Sequence, residues 1–266
     1  TGDIILEDSK IEVTYYRTAK MEFEAVNIRL TNSTVYAGTK YTSYSASTLD
    51  SDIVLKADNL RLENSTVTSW SEQTSTDGCG TCQTRKAYSD MVVEVGTLEM
   101  VNSTLLSYGS NRGTSNYNRY AYVNLDIEAE NMTVTDSRIE SDLATNYGSE
   151  ELDIDTEYLR MIGSTFEAAT TTVAVDDNGN QTINIINSTI SGSLSVDNEA
   201  LYMKNSNFTS SVTVSINVVT SSDVVFDNVL FQMVGDTSNY VFDMTLNTTG
   251  DIILEDSKIE VTYYRT

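Results

Sequence analysis

Acidic side chains at alternate positions of several short segments are the part of the sequence best suited to bind a cation. Asp126 and Glu128 occupy one such segment, and Asp153 and Asp155 occupy the corresponding positions of the next. Strand pairing would bring such carboxylates about 4.8 Å apart, where they repel unless a cation lies between them. Oxygen ligands of this kind suit Ca²⁺. Three alternatives stay open: a solvated charged face, a structural Ca²⁺ site, or a lyase or hydrolase site. The longest predicted column of outward residues is Glu24, Lys56, Glu94, Glu128 and Asp155.

Cys79 and Cys82 form the only cysteine pair, and the chain contains no histidine. A lone CxxC serves redox chemistry, metal binding or a local disulfide. Zinc prefers four ligands, and redox CxxC motifs usually begin a helix beside a βαβ unit. We therefore predict a disulfide within a polar excursion, and with it an oxidising, extracellular environment. Without histidine the chain itself cannot form Ser-His-Asp or Cys-His machinery, so no enzymatic activity is predicted.

An eight-residue motif recurs nine times in residues 1–248, as in IRLTNSTV (28–35) and LRLENSTV (60–67). Its alternating apolar and polar residues predict short strands. The central Asn, Asp or Gly tolerates a left-handed backbone at least cost, which predicts a sharp turn between two strands. Stacked Asn side chains can hydrogen-bond along a ladder. The predicted ladder residues are Asp8, Asn32, Asn64, Asn102, Asp136, Gly163, Asn187, Asn205 and Asn228.

A further alternating segment precedes many of these motifs, as in IVLKADNL (53–60). Three short strands per coil, each paired with the coils above and below, would share a continuous core that one coil cannot build alone. We predict an all-β, right-handed parallel β-helix (β-solenoid) with nine coils per period. The pattern resembles the right-handed β-helices of pectate-lyase-type enzymes and of bacterial and archaeal surface proteins and adhesins, over nearly the whole chain. In lyases of that fold the outer face holds Ca²⁺ and substrate, so the resemblance implies a comparable face here.

Residues 1–18 and residues 249–266 are identical, at an offset of 248 residues. We therefore predict one full β-helix period in 1–248 and the start of the next identical period in 249–266. Tandem identity favours a structural subunit of an extracellular filament or cell-surface stalk. The alternatives are a carbohydrate-active β-helix enzyme, such as a polysaccharide lyase or hydrolase, and a glycan-binding adhesin using Tyr-rich excursions. Expected partners are copies of the chain arranged head to tail, together with surface glycans or neighbouring filaments.

The net charge of −23 predicts that the surface repels nucleic acid and anionic membranes. No apolar run approaches the roughly 20 residues that a membrane span needs. Sequons at Asn131, Asn180, Asn207 and Asn247 are the predicted glycosylation candidates, because Asn residues of the predicted ladder have committed side chains. No cofactor is predicted apart from structural Ca²⁺ on the acidic face.

Overall fold

The computed structural model describes residues 2–41, 48–75, 85–113, 119–144, 147–176, 182–197, 200–210, 213–235 and 241–263. These ranges contain β-strands and no helix, and therefore no helix that could cross a membrane. The first twelve strands are β1 (Asp3–Glu7), β2 (Lys10–Tyr15), β3 (Thr18–Thr31), β4 (Thr34–Tyr41), β5 (Thr48–Glu63), β6 (Thr66–Ser75), β7 (Arg85–Val101), β8 (Thr104–Gly113), β9 (Arg119–Thr135), β10 (Arg138–Leu143), β11 (Gly148–Ile162) and β12 (Thr165–Glu167). The others are β13 (Thr170–Asp176), β14 (Thr182–Ile186), β15 (Thr189–Ile190), β16 (Ser193–Asp197), β17 (Ala200–Lys204), β18 (Asn207–Ser210), β19 (Thr213–Thr220), β20 (Val224–Asp227), β21 (Leu230–Gly235), β22 (Val241–Thr248), β23 (Ile252–Glu255) and β24 (Lys258–Tyr263).

Successive coils stack through parallel pairing throughout the described strands. The last strand of each coil joins a ten-stranded sheet in the order β2-β4-β6-β8-β10-β12-β15-β18-β21-β24, and the remaining strands form a 14-stranded sheet. Ten strands in the first sheet correspond to ten coils, of which nine carry the motifs of residues 1–248 and the tenth carries the repeated segment. The prediction of an all-β parallel β-helix is confirmed.

The predicted division of each coil into three strands holds only in part. In coils two to six the first two strands are continuous, as in β3 and β5, and the register skips only one residue, between Ala25–Ala57 and Asn27–Asn59. In coils seven to ten they are separate, as in β13 and β14. One residue without a register partner leaves the strand continuous, whereas the later coils have at least two residues between their first and second strands.

The core is a set of inward columns that run along the axis. One column consists of Leu30, Leu62, Met100, Val134 and Met161, each paired with the next and each no more than 1% exposed. Burying each such side chain contributes about 1.5–3 kcal/mol. Since the column is built from neighbouring coils, each coil obtains its burial from the coils on either side of it.

Candidate functional site

A single residue in the left-handed region turns the chain between the second and third strands of every coil. Its φ lies between 48° and 60° in all ten coils. Residues other than Gly, Asn and Asp rarely adopt this backbone conformation. The backbone continues to pair through the turn: the Asn64 N–H donates to the Val101 carbonyl at 2.9 Å. The structure places at this turn every predicted ladder residue, and Asp256 of the repeated segment: Asp8, Asn32, Asn64, Asn102, Asp136, Gly163, Asn187, Asn205, Asn228 and Asp256.

The side chains of these turn residues lie on the outside of the stack and form two short runs rather than one ladder. Asn32 Nδ2 donates to Asp8 Oδ1 at 3.0 Å. In the second run Asn228 donates to Asn205 at 2.9 Å, and Asn205 donates to Asn187 at 3.2 Å. Gly163 lies between the runs and has no side chain, so a ladder through every coil is impossible. The turn is therefore a backbone requirement in every coil, and the amide ladder is an addition in some of them.

A parallel run through Asn27 lies beside the start of the stack. Asn59 Nδ2 donates to Asn27 Oδ1 at 2.9 Å, and Asn27 Nδ2 donates to Asp3 Oδ1 at 2.7 Å. These residues share a register position in coils one to three. The outer face of the first coil thus receives amide donors at two positions, Asp3 and Asp8.

A buried serine column, directly after the turn residue, is the feature that the sequence interpretation missed. From the first coil to the seventh, each serine N–H donates to the hydroxyl of the serine in the next coil, as from Ser33 to Ser65 at 3.0 Å and from Ser65 to Ser103 at 3.1 Å. Each hydroxyl donates to the carbonyl two residues earlier, as from Ser65 to Glu63 at 2.8 Å. The signal was present, since serine follows the turn residue in eight of the nine motifs and valine in the ninth. The column comprises Ser9, Ser33, Ser65, Ser103, Ser137, Ser164, Ser188 and Ser206, with Ser257 in the tenth coil.

A second run of hydroxyls crosses the interior between the two sheets. Ser107 donates to Ser89 at 3.0 Å, Ser89 to Ser69 at 2.9 Å, and Ser69 to Ser51 at 3.1 Å. All four are fully buried. Because each hydroxyl finds its partner in this run or in a neighbouring carbonyl, these polar groups replace apolar packing without leaving an unpaired donor.

The predicted acidic columns are formed by the observed register. Asp126 faces Asp153, and Glu128 faces Asp155, in adjacent coils; Lys56 interrupts the same column between Glu24 and Glu94. Burial raises the pKa of Asp126, and the neighbouring charge of Asp153 raises it further. Beside them an open groove is lined by carboxylates, including Glu130 and Glu157, and by Gly96. The geometry suits a cation or a solvated face equally.

A tighter group of carboxylates lies elsewhere, at Asp50, Asp52 and Asp90. Among the residues described, this is the only group of three whose ligand oxygens lie within 4.8 Å of one another. Lys20 forms an ion pair with Asp52. Burial raises the pKa of Asp90 to about 6, with smaller contributions from the charges of Asp52 and Asp50. Lys20 therefore compensates only part of the negative charge of the cluster. The remaining repulsion, together with burial, disfavours the ionised form of Asp90.

Aromatic side chains line the outer surface of the coils that bear the long excursions. Trp70 and Tyr108 stack with their ring centroids 3.7 Å apart. On the other sheet Tyr88 stacks with Tyr122 at 5.0 Å, and the ammonium of Lys86 lies 5.7 Å from the Tyr122 ring centroid. All four rings are partly exposed. They form two small amphipathic surfaces.

Several predicted residues fall beyond the described ranges. Cys79, Cys82 and Asn180 lie outside them, so their disulfide and sequon stay predictions. Asn131, Asn207 and Asn247 are exposed on the outside of strands, which leaves them accessible as glycosylation candidates.

Comparisons of the chain with models of protein families, with curated proteins and with solved structures found no match. Function must therefore be inferred from the coils themselves. Their most extensive polar feature is the serine column, and it serves the stacking of one coil on another.

Proposed function

We propose that this chain is a structural subunit of an extracellular filament or cell-surface stalk, built from tandem β-solenoid periods. One observation supports the proposal above the others. Residues 1–18 and 249–266 are identical in sequence, and their described strands correspond, with β1 matched by β23 and β2 by β24. Asp8 and Asp256 even share a φ of 48°. A coil that recurs unchanged after 248 residues lets the stack continue from one period into the next.

The inter-coil bonding suits a mechanical element. Each coil is joined to its neighbours by backbone pairing and shared apolar columns, and in most coils also by the serine column, so tension along the axis is distributed over many parallel bonds. The negative surface keeps separate filaments apart, because like charges repel across the solvent. Nine coils at about 4.8 Å each give an axial rise of about 43 Å per period.

Rod length as a function of the number of periods tests the proposal. Chains of two, three and four periods should form rods that lengthen by about 43 Å for each added period, measured by electron microscopy or small-angle scattering. A chain of the same length with Asn64→Leu in every period is the matched control, since it disturbs the turn without changing the composition elsewhere. Particles whose length does not increase with the number of periods would contradict a filament.

Glycan binding is a second candidate, favoured by the partly exposed aromatic pair Trp70 and Tyr108. Such rings provide an apolar face against which sugar rings can pack. Glu72, on the same strand as Trp70, forms an ion pair with Lys40 of the preceding coil. Trp70 is the only tryptophan, so its fluorescence reports on this surface alone. A glycan array should identify a ligand that changes this fluorescence and that loses affinity with Trp70→Ala. The control is Tyr15→Ala, which removes an exposed aromatic ring elsewhere.

A further inference from the structure

The two end faces of the stack expose complementary parts of the core. At the first end, Phe23 and Ala25 of β3 in the second coil are only partly buried, because the first coil has no described strand beneath this part of β3. At the tenth coil, Phe242, Met244 and Leu246 of β22 are partly buried on the inward side. Each face thus presents apolar residues that an added strand would cover.

We propose that consecutive periods share one junction coil, in which β22 of one period pairs with residues 18–25 of the next. This inference rests on the proposed function, because it requires consecutive periods. Aligning the inward positions sets the register: Phe242 beside Met21, Met244 beside Phe23, and Leu246 beside Ala25. The partly buried side chains of the two faces then cover each other.

The rest of the junction follows from pairing that is already present. In the first coil Ile4 pairs with Ile28 and Leu6 with Leu30, and Ile11 pairs with Val35. Residues 252–263 have the same sequence as residues 4–15, and they now expose Leu254 by 50% and Ile259 by 49%. The next period's residues 28–39 would cover them in the register that the first coil already shows.

Charge distinguishes this junction from the docking of separate copies. If the last coil of one copy stacked directly on the first coil of another in the same register, identical acids would meet at four positions: Asp251 on Asp3, Glu255 on Glu7, Asp256 on Asp8 and Glu260 on Glu12. Carboxylates stacked at coil spacing repel.

The shared coil instead gives these acids favourable neighbours. In the first coil Asp3 and Asp8 accept hydrogen bonds from Asn27 and Asn32, and Arg29 lies 3.8 Å from Glu7. The junction reproduces these contacts for residues 251–256. It introduces one acidic pair, Asp243 beside Glu22, against four in the alternative. Covalent continuity between periods is therefore the arrangement that the coil surfaces favour.

Cysteine cross-linking in a two-period chain tests the register. The chain is residues 1–248 followed by 1–266, with Cys79 and Cys82 replaced by serine in both periods. Thr245→Cys in the first period and Glu24→Cys in the second lie on the same outward column, within the Cα separation that a disulfide tolerates. The control pair is Thr245→Cys with Glu22→Cys, which is displaced by two residues. We expect mild oxidation to link most of the first pair and little of the second, measured by mass spectrometry of peptides.

A stability comparison gives a second readout. Phe23→Ala in the second period should lower the melting temperature more than Phe23→Ala in the first, because only the second-period ring is covered by a preceding β22. Equal effects, or cross-linking of the displaced pair, would overturn the junction while rods of the expected length would still support a filament. Disulfide-linked dimers of separate 266-residue chains that carry Asp3→Cys and Asp251→Cys would favour direct docking and also overturn it. Failure of the rods to lengthen would instead remove the proposed function.

Discussion

Removing one hydroxyl from the serine column should destabilise the coil below it. Ser65 is 2% exposed, and its Oγ accepts the Ser33 N–H at 3.0 Å while donating to the Glu63 carbonyl at 2.8 Å. In Ser65→Ala the Glu63 carbonyl keeps the Asn32 N–H at 2.9 Å, but the buried Ser33 N–H loses its acceptor. An unpaired buried donor costs about 1–3 kcal/mol, so we expect a loss of stability within that range.

Ser9→Ala is the matched control, since Ser9 lies in the first coil and its hydroxyl donates to Glu7 at 2.7 Å without accepting from another described coil. Its cost should be about 0.5 kcal/mol or less. Because repeat proteins unfold in parts, hydrogen exchange of the Ser33 amide is the direct assay, supported by thermal melts. If the Ser33 amide stayed as protected in Ser65→Ala as in the parent, the hydroxyl would not be its essential acceptor and the reasoning would be refuted.

Three further outcomes are expected. Asn64→Leu should destabilise by about 1–3 kcal/mol because leucine resists the left-handed turn, whereas Asn64→Gly should cost less; equal melting temperatures for the two would contradict the turn requirement. Asp90 has a pKa near 6 against an ordinary 3.8, so folding favours its protonated form and stability should rise as pH falls from about 6 towards 4. The difference between these two pKa values corresponds to about 3 kcal/mol of folding free energy, and solvent screening reduces this contribution to about 1–2 kcal/mol. Asp90→Asn should therefore stabilise the protein at pH 7 and flatten its urea-unfolding profile between pH 4 and 6, and an unchanged profile would exclude Asp90 as the cause. Ca²⁺ added after EDTA treatment should raise the melting temperature by relieving the repulsion between Asp126 and Asp153; an equal gain from NaCl at the same ionic strength would instead indicate a solvated face.

The turn residues and the stacking could be predicted because both depend on local chemistry. A left-handed backbone restricts Asn64 and its counterparts to few residue types, and the alternation around them fixes which side chains point inward. Trp70 and Tyr108 were also within reach of prediction, since each lies six residues after its turn residue. Equal offsets from equivalent turns place side chains in one column.

The carboxylate cluster depends on a different kind of information. Asp52 and Asp90 are neighbours only because β5 and β7 pair in one register, and the polar excursion between those strands lengthens the coil. Likewise, β3 is one continuous strand in which only Val26 lacks a register partner. The sequence pattern around Val26 does not show whether the strand ends there or continues. Such features depend on the number of residues between one left-handed turn and the next. The alternation of apolar and polar residues does not specify that number.

Val229 marks the place where the serine column is interrupted within each period. It offers no hydroxyl to the Ser206 N–H, while its own N–H donates to Ser257 at 3.1 Å, so the column resumes in the repeated coil. Aromatic packing crosses the same interface, where Phe208 of coil eight stacks on Phe231 of coil nine with ring centroids 5.7 Å apart. Between coils eight and nine, aromatic packing therefore takes the place of the serine hydrogen bond. Since the column is whole again at Ser257, and Ser9 in turn donates to Ser33, the junction proposed here would inherit complete serine bonding.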